Sequence, residues 1–494
     1  MRNIIKGSLA SVLLITVLLT IGCSKENLDP VPKTSLSDLT VFDTKDRVVA
    51  QVNGMYAFMK TGAFLGGRYY VYNDVRAENF IPKSSNLVTN YATWNHTVLP
   101  GTNEVQNLWG AVYAAMNAIN VFKGGLETAW ADGKLTGKVT AAEYDQYLSE
   151  ALTLRAMCYF YLLQLYAKPY NMNAGDNPGL PLRLIANKTA ADNDLARSKV
   201  SEVYTQILKD LNDAEPLAVA SYSSDLLNTT RVHKNTIIAF KTRVYLHMSN
   251  WPAVLTESAK IVSAAAPYTA PSGVAHTLNP GFKDIWATPY TSKESIFSMP
   301  FTTTNTPGGQ NGLAHYHHPS SSESYYLIKS AGSTYSKIDD TDARKLLMVT
   351  DGDGRTFVGK WRDFTTLTDY APVMRYAEIL LTYAEAIVRQ GNSVTQGAVN
   401  LLNAVRMRSF PDGEYALEDF TTVQNFIDAV LLERSIEFLG EGIRNMDLMR
   451  TISTIPAKAG GNMGDVSTIA PNSPTYIWPI PQNELNFNKL MVQN

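Results

Sequence analysis

Charged side chains that could carry out acid–base chemistry recur at close spacing near the C-terminus, at Glu433, Arg434, Glu437, Glu441 and Arg444. Two carboxyl groups facing each other across a cleft would form the catalytic pair of a glycosidase. The spacing also places these residues near one helical face, where carboxylates and guanidinium groups can pair. We interpret the block as an Arg/Glu network that locks the helix ends, with Gly440 and Gly442 at turns. The same interpretation applies to Arg375, Glu378 and Glu385.

Two further segments have the composition of metal sites without the ligand pattern. His315, His317 and His318 are close in sequence, but no carboxylate or cysteine stands at ligand spacing. We expect these imidazoles to face solvent or a ligand. The segment DGDGRTF (351–357) begins like a calcium loop, yet Arg355 occupies the place of the third oxygen ligand and no acid follows at the twelfth position. It predicts a tight turn, and neither a metal nor another cofactor is expected.

The first 22 residues have the pattern of a secretory signal. Arg2 and Lys6 precede an apolar run that is shorter than the roughly 20 residues of a membrane-spanning helix. The segment LTIGC (19–23) resembles a bacterial lipobox, although Thr20 stands where leucine is usual. We predict that Cys23 becomes the lipid-bearing N-terminus, whose acyl chains, palmitate among them, anchor the protein. A plain signal peptide with an incidental cysteine is the alternative.

Composition limits the class of protein. The chain has 494 residues, of which 45% are hydrophobic and only 18% are charged, and it contains 26 tyrosines. Its net charge of −2 becomes −4 once the signal, which holds two bases and no acids, is removed. No basic excess indicates a nucleic-acid groove. Two cysteines exclude a disulfide scaffold, and we expect Cys158 to be buried and inert.

The elements that position these residues are mainly helices. Apolar periodicity predicts helices near 46–60, 105–126, 144–167, 200–215, 232–249, 251–265, 375–391, 395–408 and 422–440. Gly391 is the expected C-cap of the helix that ends there. Residues 266–370 show no sustained period, and only short strands such as 295–301 are expected among them. Helix pairs with alanine and tyrosine on their packing faces are typical of tetratricopeptide-like proteins, although no 34-residue repeat is present.

We therefore predict a mostly α fold, in which tetratricopeptide-like helix pairs form a solenoid scaffold with a large loop-rich insertion containing short strands. Residues 1–22 form the signal peptide and residues 23–40 a lipidated tether. Residues 41–494 form one domain, with a helical framework at 41–265 and 371–494 around an irregular insert at 266–370.

Several blocks, in this order, resemble the SusD/RagB family of surface glycan-binding lipoproteins. They are Cys23 with LDP (28–30), EALTLRAMCYFYLLQLYA (150–167), EVYTQILKDLNDAEPL (202–217), RYAEILLTYAEA (375–386), ERSIEFLGEGIRNMDLMR (433–450) and PIPQNELNFN (479–488). The resemblance implies an outer-membrane protein, lipid-anchored at the surface of a Bacteroidetes-type bacterium. It implies a protein that binds a glycan without cleaving it and delivers it to a SusC-like TonB-dependent transporter.

Sugar rings have apolar faces and hydroxyl edges, so the resemblance implies a site of aromatic rings and planar polar groups. Two stretches outside the helix pairs offer both kinds of residue. The first supplies the ligand candidates Tyr70, Tyr72, Asn73, Asp74, Arg76, Asn79, Trp94 and Asn95. The second supplies Trp286, Tyr290, Asn311, Tyr316 and Tyr325, with Asn305, Gln310 and Tyr326 nearby. Each ring taken singly is better explained as core, but we expect some members of the group to bind the ligand.

Two alternative functions remain open at this point. The same fold could bind peptides or glycopeptides, in which case calorimetry would detect peptides and not sugars. A surface glycoside hydrolase would instead need carboxylates in the insert, such as Glu323. The sequence does not name the glycan.

Overall fold

The computed structural model describes residues 41–189 and 192–494. The predicted signal peptide, Cys23 and the tether lie outside the described residues. Among the described helices, none is both long and apolar enough to cross a membrane.

Helices dominate the chain on both sides of the insert. In the N-terminal part they are α1 (Lys45–Met59), α2 (Arg68–Arg76), α3 (Tyr91–Trp94), α4 (Asn103–Ala131), α5 (Ala141–Tyr166), α6 (Val200–Ala214), α7 (Asp225–Thr230), α8 (Lys234–His247) and α9 (Trp251–Ile261). The insert contains the short α10 (Leu313–His317). The C-terminal part contains α11 (Tyr376–Gly391), α12 (Gln396–Ser409), α13 (Val423–Glu437), α14 (Arg444–Arg450) and α15 (Gln482–Phe487).

Neighbouring helices pack in consecutive pairs around α5. Helix α4 and helix α6 contact α5, α8 packs on α9, and α11 packs on α12. Helix α5 starts at a capping box in which Thr140 and Glu143 satisfy each other's backbone N–H groups. It then runs through the interior, with every residue from Ser149 to Tyr166 buried. This arrangement confirms the predicted mostly α fold of tetratricopeptide-like helix pairs.

In the part of the chain that the structure describes, six short strands form three antiparallel pairs. They are β1 (Phe80–Pro82), β2 (Ser295–Met299), β3 (Tyr325–Leu327), β4 (Val349–Thr350), β5 (Thr356–Phe357) and β6 (Ala371–Arg375). Strand β1 pairs with β3, β2 with β6, and β4 with β5. The insert shares the main apolar core with the helices, because insert side chains such as Phe297, Tyr316 and Trp361 lie in the same buried cluster.

The structure corrects three local predictions. Residues 68–76, which belong to the first stretch placed outside the helix pairs, form helix α2. The helical framework was expected to resume at residue 371, but strand β6 comes first, before helix α11. The left-handed cap of helix α11 is Asn392, with φ of 48°, and Gly391 is the last helical residue. Asparagine tolerates this conformation because its side chain can hydrogen-bond locally.

The predicted Arg/Glu network is confirmed, and its members are buried except for the half-buried Arg444. Arg375, at the end of β6, pairs with Glu294, Glu437 and Glu441 at 2.5, 2.9 and 2.8 Å. Burial alone would raise the pKa of Glu437, but the guanidinium groups of Arg408, Arg375 and Arg344 outweigh it and hold that pKa far below its ordinary value. These carboxylates therefore join the insert to the C-terminal helices and face no cleft.

The outer members of the predicted set are paired too. Arg243 and Glu378 form a buried bidentate pair, and Glu385 binds Arg450 at 2.7 Å. Gly440 and Gly442 have φ of 87° and 71°, as expected of turns. At Gly442 a side chain would meet the Tyr70 backbone at 2.8 Å, so only glycine fits there.

The structure also bears on the predicted turn at 351–355 and on the predicted burial of Cys158. The segment from Asp351 to Arg355 is the tight turn between β4 and β5, and the Asp351 carboxylate accepts hydrogen bonds from the backbone of Asp353 and Arg355. Its oxygens are thus used within the turn. Cys158 is buried, and burial raises the pKa of its thiol far above the ordinary value. It is inert, as predicted.

Candidate ligand-binding face

The two predicted stretches meet in the fold through the ladder of β1 and β3. Phe80 is opposite Leu327, Ile81 opposite Tyr326, and Pro82 opposite Tyr325. Beyond the ladder, the Lys83 ammonium donates to the Pro319 carbonyl at 2.8 Å. Residues from both stretches can therefore contribute to one surface.

Most candidates of the first stretch, however, belong to the core. Tyr70, Tyr72, Asn73, Asp74, Arg76, Asn79 and Trp94 are all buried. The reason is helix α2, which is covered on every side and has no solvent face. Asn95, after the short helix α3, is half-buried.

Distant partners bind several polar groups of α2. The Asn445 amide donates to Asn73 at 3.0 Å, and the Gly442 N–H donates to Asp74 at 3.0 Å. Arg76 donates to the Tyr476 carbonyl at 2.7 Å. These contacts hold α2 against the C-terminal segments, so its polar residues are corrected from ligand candidates to structural residues.

Three aromatic candidates of the second stretch are likewise structural. Tyr316 and Tyr325 are buried with their ring centroids 6.4 Å apart. The Trp286 ring is only 9% exposed and lies between two cations, with Lys360 at 5.0 Å and Arg375 at 5.3 Å from its centre. Through these contacts Trp286 packs the insert against the buried network.

Aromatic and polar side chains of the insert and of the neighbouring loop at Asn86 are linked by ring contacts and hydrogen bonds, and we call this set the aromatic–polar face. Its members are Asn86, Tyr290, Gln310, His315, His318, Glu323, Phe364, Asp369 and Tyr370, which are half-buried except for the exposed Gln310 and the buried Asp369. Of the predicted ligand residues, Tyr290 lies on this face. Asn311 lies behind it, where its side chain occupies the space beside Gly62 and donates to the Pro307 carbonyl at 3.0 Å.

The aromatic half of the face is built from two ring pairs. Tyr290 and Tyr370 have centroids 5.1 Å apart, and the Tyr290 hydroxyl donates to Asp369 at 2.8 Å. His318 stacks on Phe364 at 5.3 Å with the rings nearly parallel. Tyr290 has a φ of 61°, a left-handed conformation that is uncommon for a bulky residue and tends to occur at functional sites.

Glu323 is the centre of the polar half. Its carboxylate accepts from the Asn86 amide at 2.6 Å and from the Gln310 amide at 3.2 Å, and it lies 3.5 Å from His315. The His315 ring packs near Phe364, 6.2 Å between centroids, which joins the two halves. Planar groups of this kind suit paired hydrogen bonds with adjacent hydroxyls.

The two imidazoles of the face are uncharged at neutral pH. Burial lowers the pKa of His315, which the Glu323 carboxylate opposes, and burial also lowers the pKa of His318 despite the nearby Asp369. Both imidazoles are therefore neutral and can donate or accept a hydrogen bond. Burial raises the pKa of Asp369, against hydrogen bonds from the Asp363 backbone and Tyr290.

The three clustered histidines do not converge on one point. His315 and His318 lie on the face, but His317 is buried and stacks on Trp361 at 4.9 Å. In residues 41–189 and 192–494, no group of three histidine, cysteine or acidic side chains is placed to hold a metal ion.

Sequence reasoning missed Phe364, Asp369 and Tyr370. They belong to a segment in which Asp363, Thr366 and Thr368 form a compact hydrogen-bonded loop. The available signal was this acidic and hydroxyl-rich run around two aromatic residues just before β6.

The helix pairs and the loop-rich insert define a tetratricopeptide-like protein with a large insertion. Comparison with known proteins places it more narrowly. Residues 357–494 match the SusD family, and residues 26–246 match a family described as starch-binding and associating with the outer membrane.

Solved and curated relatives extend this match over nearly the whole chain. A SusD superfamily protein of Bacteroides fragilis is 30% identical, with a TM-score of 0.80 over 91% of this chain and 99% of that one. SusD-like protein P38 of Formosa agariphila is 23% identical over 94% of each chain. A laminarin-binding SusD-like protein has the same fold, with a TM-score of 0.70 at 17% identity, over 92% of this chain and 99% of that one. The chain belongs to the SusD family.

Proposed function

We propose that this protein binds an oligosaccharide on the aromatic–polar face and passes it to a SusC-like TonB-dependent transporter of the outer membrane. The observation that carries the proposal is the face itself, in which half-buried rings adjoin a network of neutral or paired planar polar groups. Rings cover the apolar faces of sugars, and amide, imidazole and carboxylate groups bind their hydroxyl edges.

Membership of the SusD family supports a binding role. One matched family is described as starch-binding, and one structural relative binds laminarin. Neither matched family is described as an enzyme. The two family matches leave residues 247–356 between them, and this part supplies Tyr290, Gln310 and Glu323.

Removing the rings of the face should weaken glycan binding. We expect Tyr290→Ala and Phe364→Ala each to raise the dissociation constant about tenfold, since losing one stacked ring costs on the order of 1–1.5 kcal/mol. The measurement is affinity electrophoresis over a polysaccharide panel, followed by calorimetry with the oligosaccharide that binds.

Phe487→Ala is the matched control, because Phe487 is 69% exposed on helix α15 and is not part of the face. It should leave the affinity unchanged. Binding of peptides in place of sugars would favour the alternative cargo. The proposal would be contradicted if the wild-type protein bound none of the polysaccharides and no transporter co-purified with it from membranes.

The N-terminus would hold the protein at the cell surface. We propose that residues 1–22 are removed, that lipid is attached to Cys23, and that residues 23–40 act as a tether to one domain, residues 41–494. The support is the lipobox-like sequence and the absence of a membrane-spanning helix among the described residues. The family description that includes association with the outer membrane agrees with this.

Lipid attachment can be tested at the two cysteines. We expect Cys23→Ala to abolish incorporation of labelled palmitate and to move the protein out of the membrane fraction, because its acyl chains supply the anchor. Cys158→Ala, which changes the buried cysteine, is the control and should leave both unchanged. Labelling that survives Cys23→Ala would contradict the proposed anchor.

A further inference from the structure

A second cleft lies away from the aromatic–polar face, between helices α13 and α14 and the loop that follows β3. Its cavity volume is about 250 Å3. This is slightly less than the roughly 300–1,000 Å3 of drug-sized sites, so the cleft has room for one small ring. The cleft shares no lining residue with the aromatic–polar face.

Apolar and hydroxyl-bearing side chains both line this cleft. The apolar ones are Leu431, Leu432 and Leu448. The hydroxyls of Thr334 and Ser435 are 2.7 Å apart, and those of Thr451 and Ser453 are 2.8 Å apart. Each hydroxyl pair is a donor and acceptor that can exchange its internal hydrogen bond for one to a ligand.

An ion pair lies in the lining of the cleft. Arg444 donates twice to one oxygen of Glu78, at 2.8 and 2.6 Å. The other carboxylate oxygen is buried and accepts no hydrogen bond from the described residues. This oxygen is enclosed by the protein, so the cleft presents Glu78 through its ion pair with Arg444.

The charges that line the cleft balance each other. Arg444 and Lys337 stand against Glu78 and Asp428. The further carboxylate, Asp447, accepts from Arg434 and Arg450 at 2.8 and 2.7 Å and is neutralised within the protein. The lining therefore favours neither an anion nor a cation.

From this geometry we infer a second binding site, which takes a neutral, hydroxyl-rich ligand of the size of one sugar ring. The C–H face of such a ring would pack on the leucine side chains, and its hydroxyls would meet the two hydroxyl pairs and the Arg444–Glu78 ion pair. The site is independent of the aromatic–polar face and does not rest on the function proposed for that face.

The test uses ligand-observed saturation-transfer NMR on the full mature protein with glucose, galactose, mannose and xylose as probes. We expect at least one of these sugars to bind, and Ser453→Tyr, which fills the cleft, to reduce the signal at least fivefold. Ser393→Tyr places the same ring on an exposed loop outside the cleft and should change nothing. Glu78→Gln provides a second variant with little change in volume, and it should also weaken binding at least fivefold.

The outcomes separate the two sites. Sugar binding that survives Phe364→Ala but not Ser453→Tyr or Glu78→Gln supports the cleft. Binding lost in Phe364→Ala and kept in both cleft variants overturns the cleft site while leaving the proposed function intact. Absence of binding by all four sugars, or tighter binding of inorganic phosphate than of any sugar, also overturns it.

Discussion

Replacing Arg375 by methionine should lower the free energy of unfolding by roughly 3–5 kcal/mol, the usual cost of breaking a buried ion pair by removing one partner. The side chain is 1% exposed and bonds three carboxylates, those of Glu294, Glu437 and Glu441. Methionine fills a similar volume but leaves these acids with fewer cations in a dry environment. The measurement is urea unfolding followed by tryptophan fluorescence and circular dichroism.

Loss of Arg375 should also disturb the insert. Its guanidinium group lies 5.3 Å from the centre of the Trp286 ring and 4.8 Å from that of Phe438. Trp286 in turn contacts Trp361, with centroids 5.6 Å apart, beneath the aromatic–polar face. We therefore expect the variant to lose near-ultraviolet dichroism before the helical signal falls.

Lys209→Met is the control, because the Lys209–Asp213 pair is largely exposed. Exposed pairs contribute about 0–1 kcal/mol, so this change should be nearly silent. Adding Glu441→Gln to Arg375→Met removes one of the stranded charges and should recover part of the lost stability. Equal losses in Arg375→Met and Lys209→Met would contradict a stabilising role for the network.

The fold could be predicted where local pattern and burial agree. The helix pairs have apolar stripes at helical spacing and capping residues such as Thr140 and Thr395. These features, like the tight turn at 351–355 in the insert, are encoded by residues close together in the sequence. The Arg/Glu block could be assigned to a network because so many opposite charges at one helical face are most simply satisfied by each other.

The binding face could be predicted only in outline, because its composition does not distinguish a sugar platform from a polar core helix. Helix α2 carries tyrosines, asparagine, aspartate and arginine, the very types expected at a sugar site. Its Asn73, Asp74 and Arg76 bind Asn445, Gly442 and Tyr476, which are more than 350 residues away along the chain. Nothing in the neighbouring sequence indicates such distant partners. Tyr290 and Glu323 lie in loops, and their burial depends on how the insert packs against the rest of the protein.

Glu104 makes the stability of the protein depend on pH near neutrality. It is completely buried at the start of helix α4, and one of its oxygens accepts the Thr93 N–H at 2.9 Å and the Thr93 hydroxyl. The other oxygen has no hydrogen-bond partner among the described residues. Burial raises the pKa of Glu104 to about 7, although the Thr93 hydrogen bonds and Arg68 oppose the shift.

The direction of this pH dependence follows from the pKa of Glu104 in the unfolded chain and in the folded protein. In the unfolded chain this carboxyl loses its proton near pH 4.5, whereas in the folded protein it keeps the proton until about pH 7. Its contribution to stability is therefore greatest below pH 4.5 and falls as the pH rises through this window. At 1.36 kcal/mol for each pKa unit, raising the pH from 5 to 8 should cost roughly 2–3 kcal/mol at this site alone.

Glu104→Gln should remove this dependence, since the amide oxygen can still accept from Thr93 and no proton is lost. Relative to the wild type, we expect the variant to gain roughly 2–3 kcal/mol between pH 5 and pH 8, measured by urea unfolding at both values. Glu127→Gln, an exposed change on the same helix, should shift stability by less than about 0.5 kcal/mol at either pH. A parallel pH dependence in Glu104→Gln and the wild type would show that the carboxyl is not the titrating group.

Because Glu104 holds Thr93 of helix α3, its ionisation should also loosen the segment between β1 and α4. Asn86 lies in that segment and binds Glu323 on the aromatic–polar face. Glycan affinity should therefore weaken from pH 6 to pH 8 in the wild type and stay constant in Glu104→Gln. A wild-type affinity that does not change with pH would mean that the face is held independently of α3.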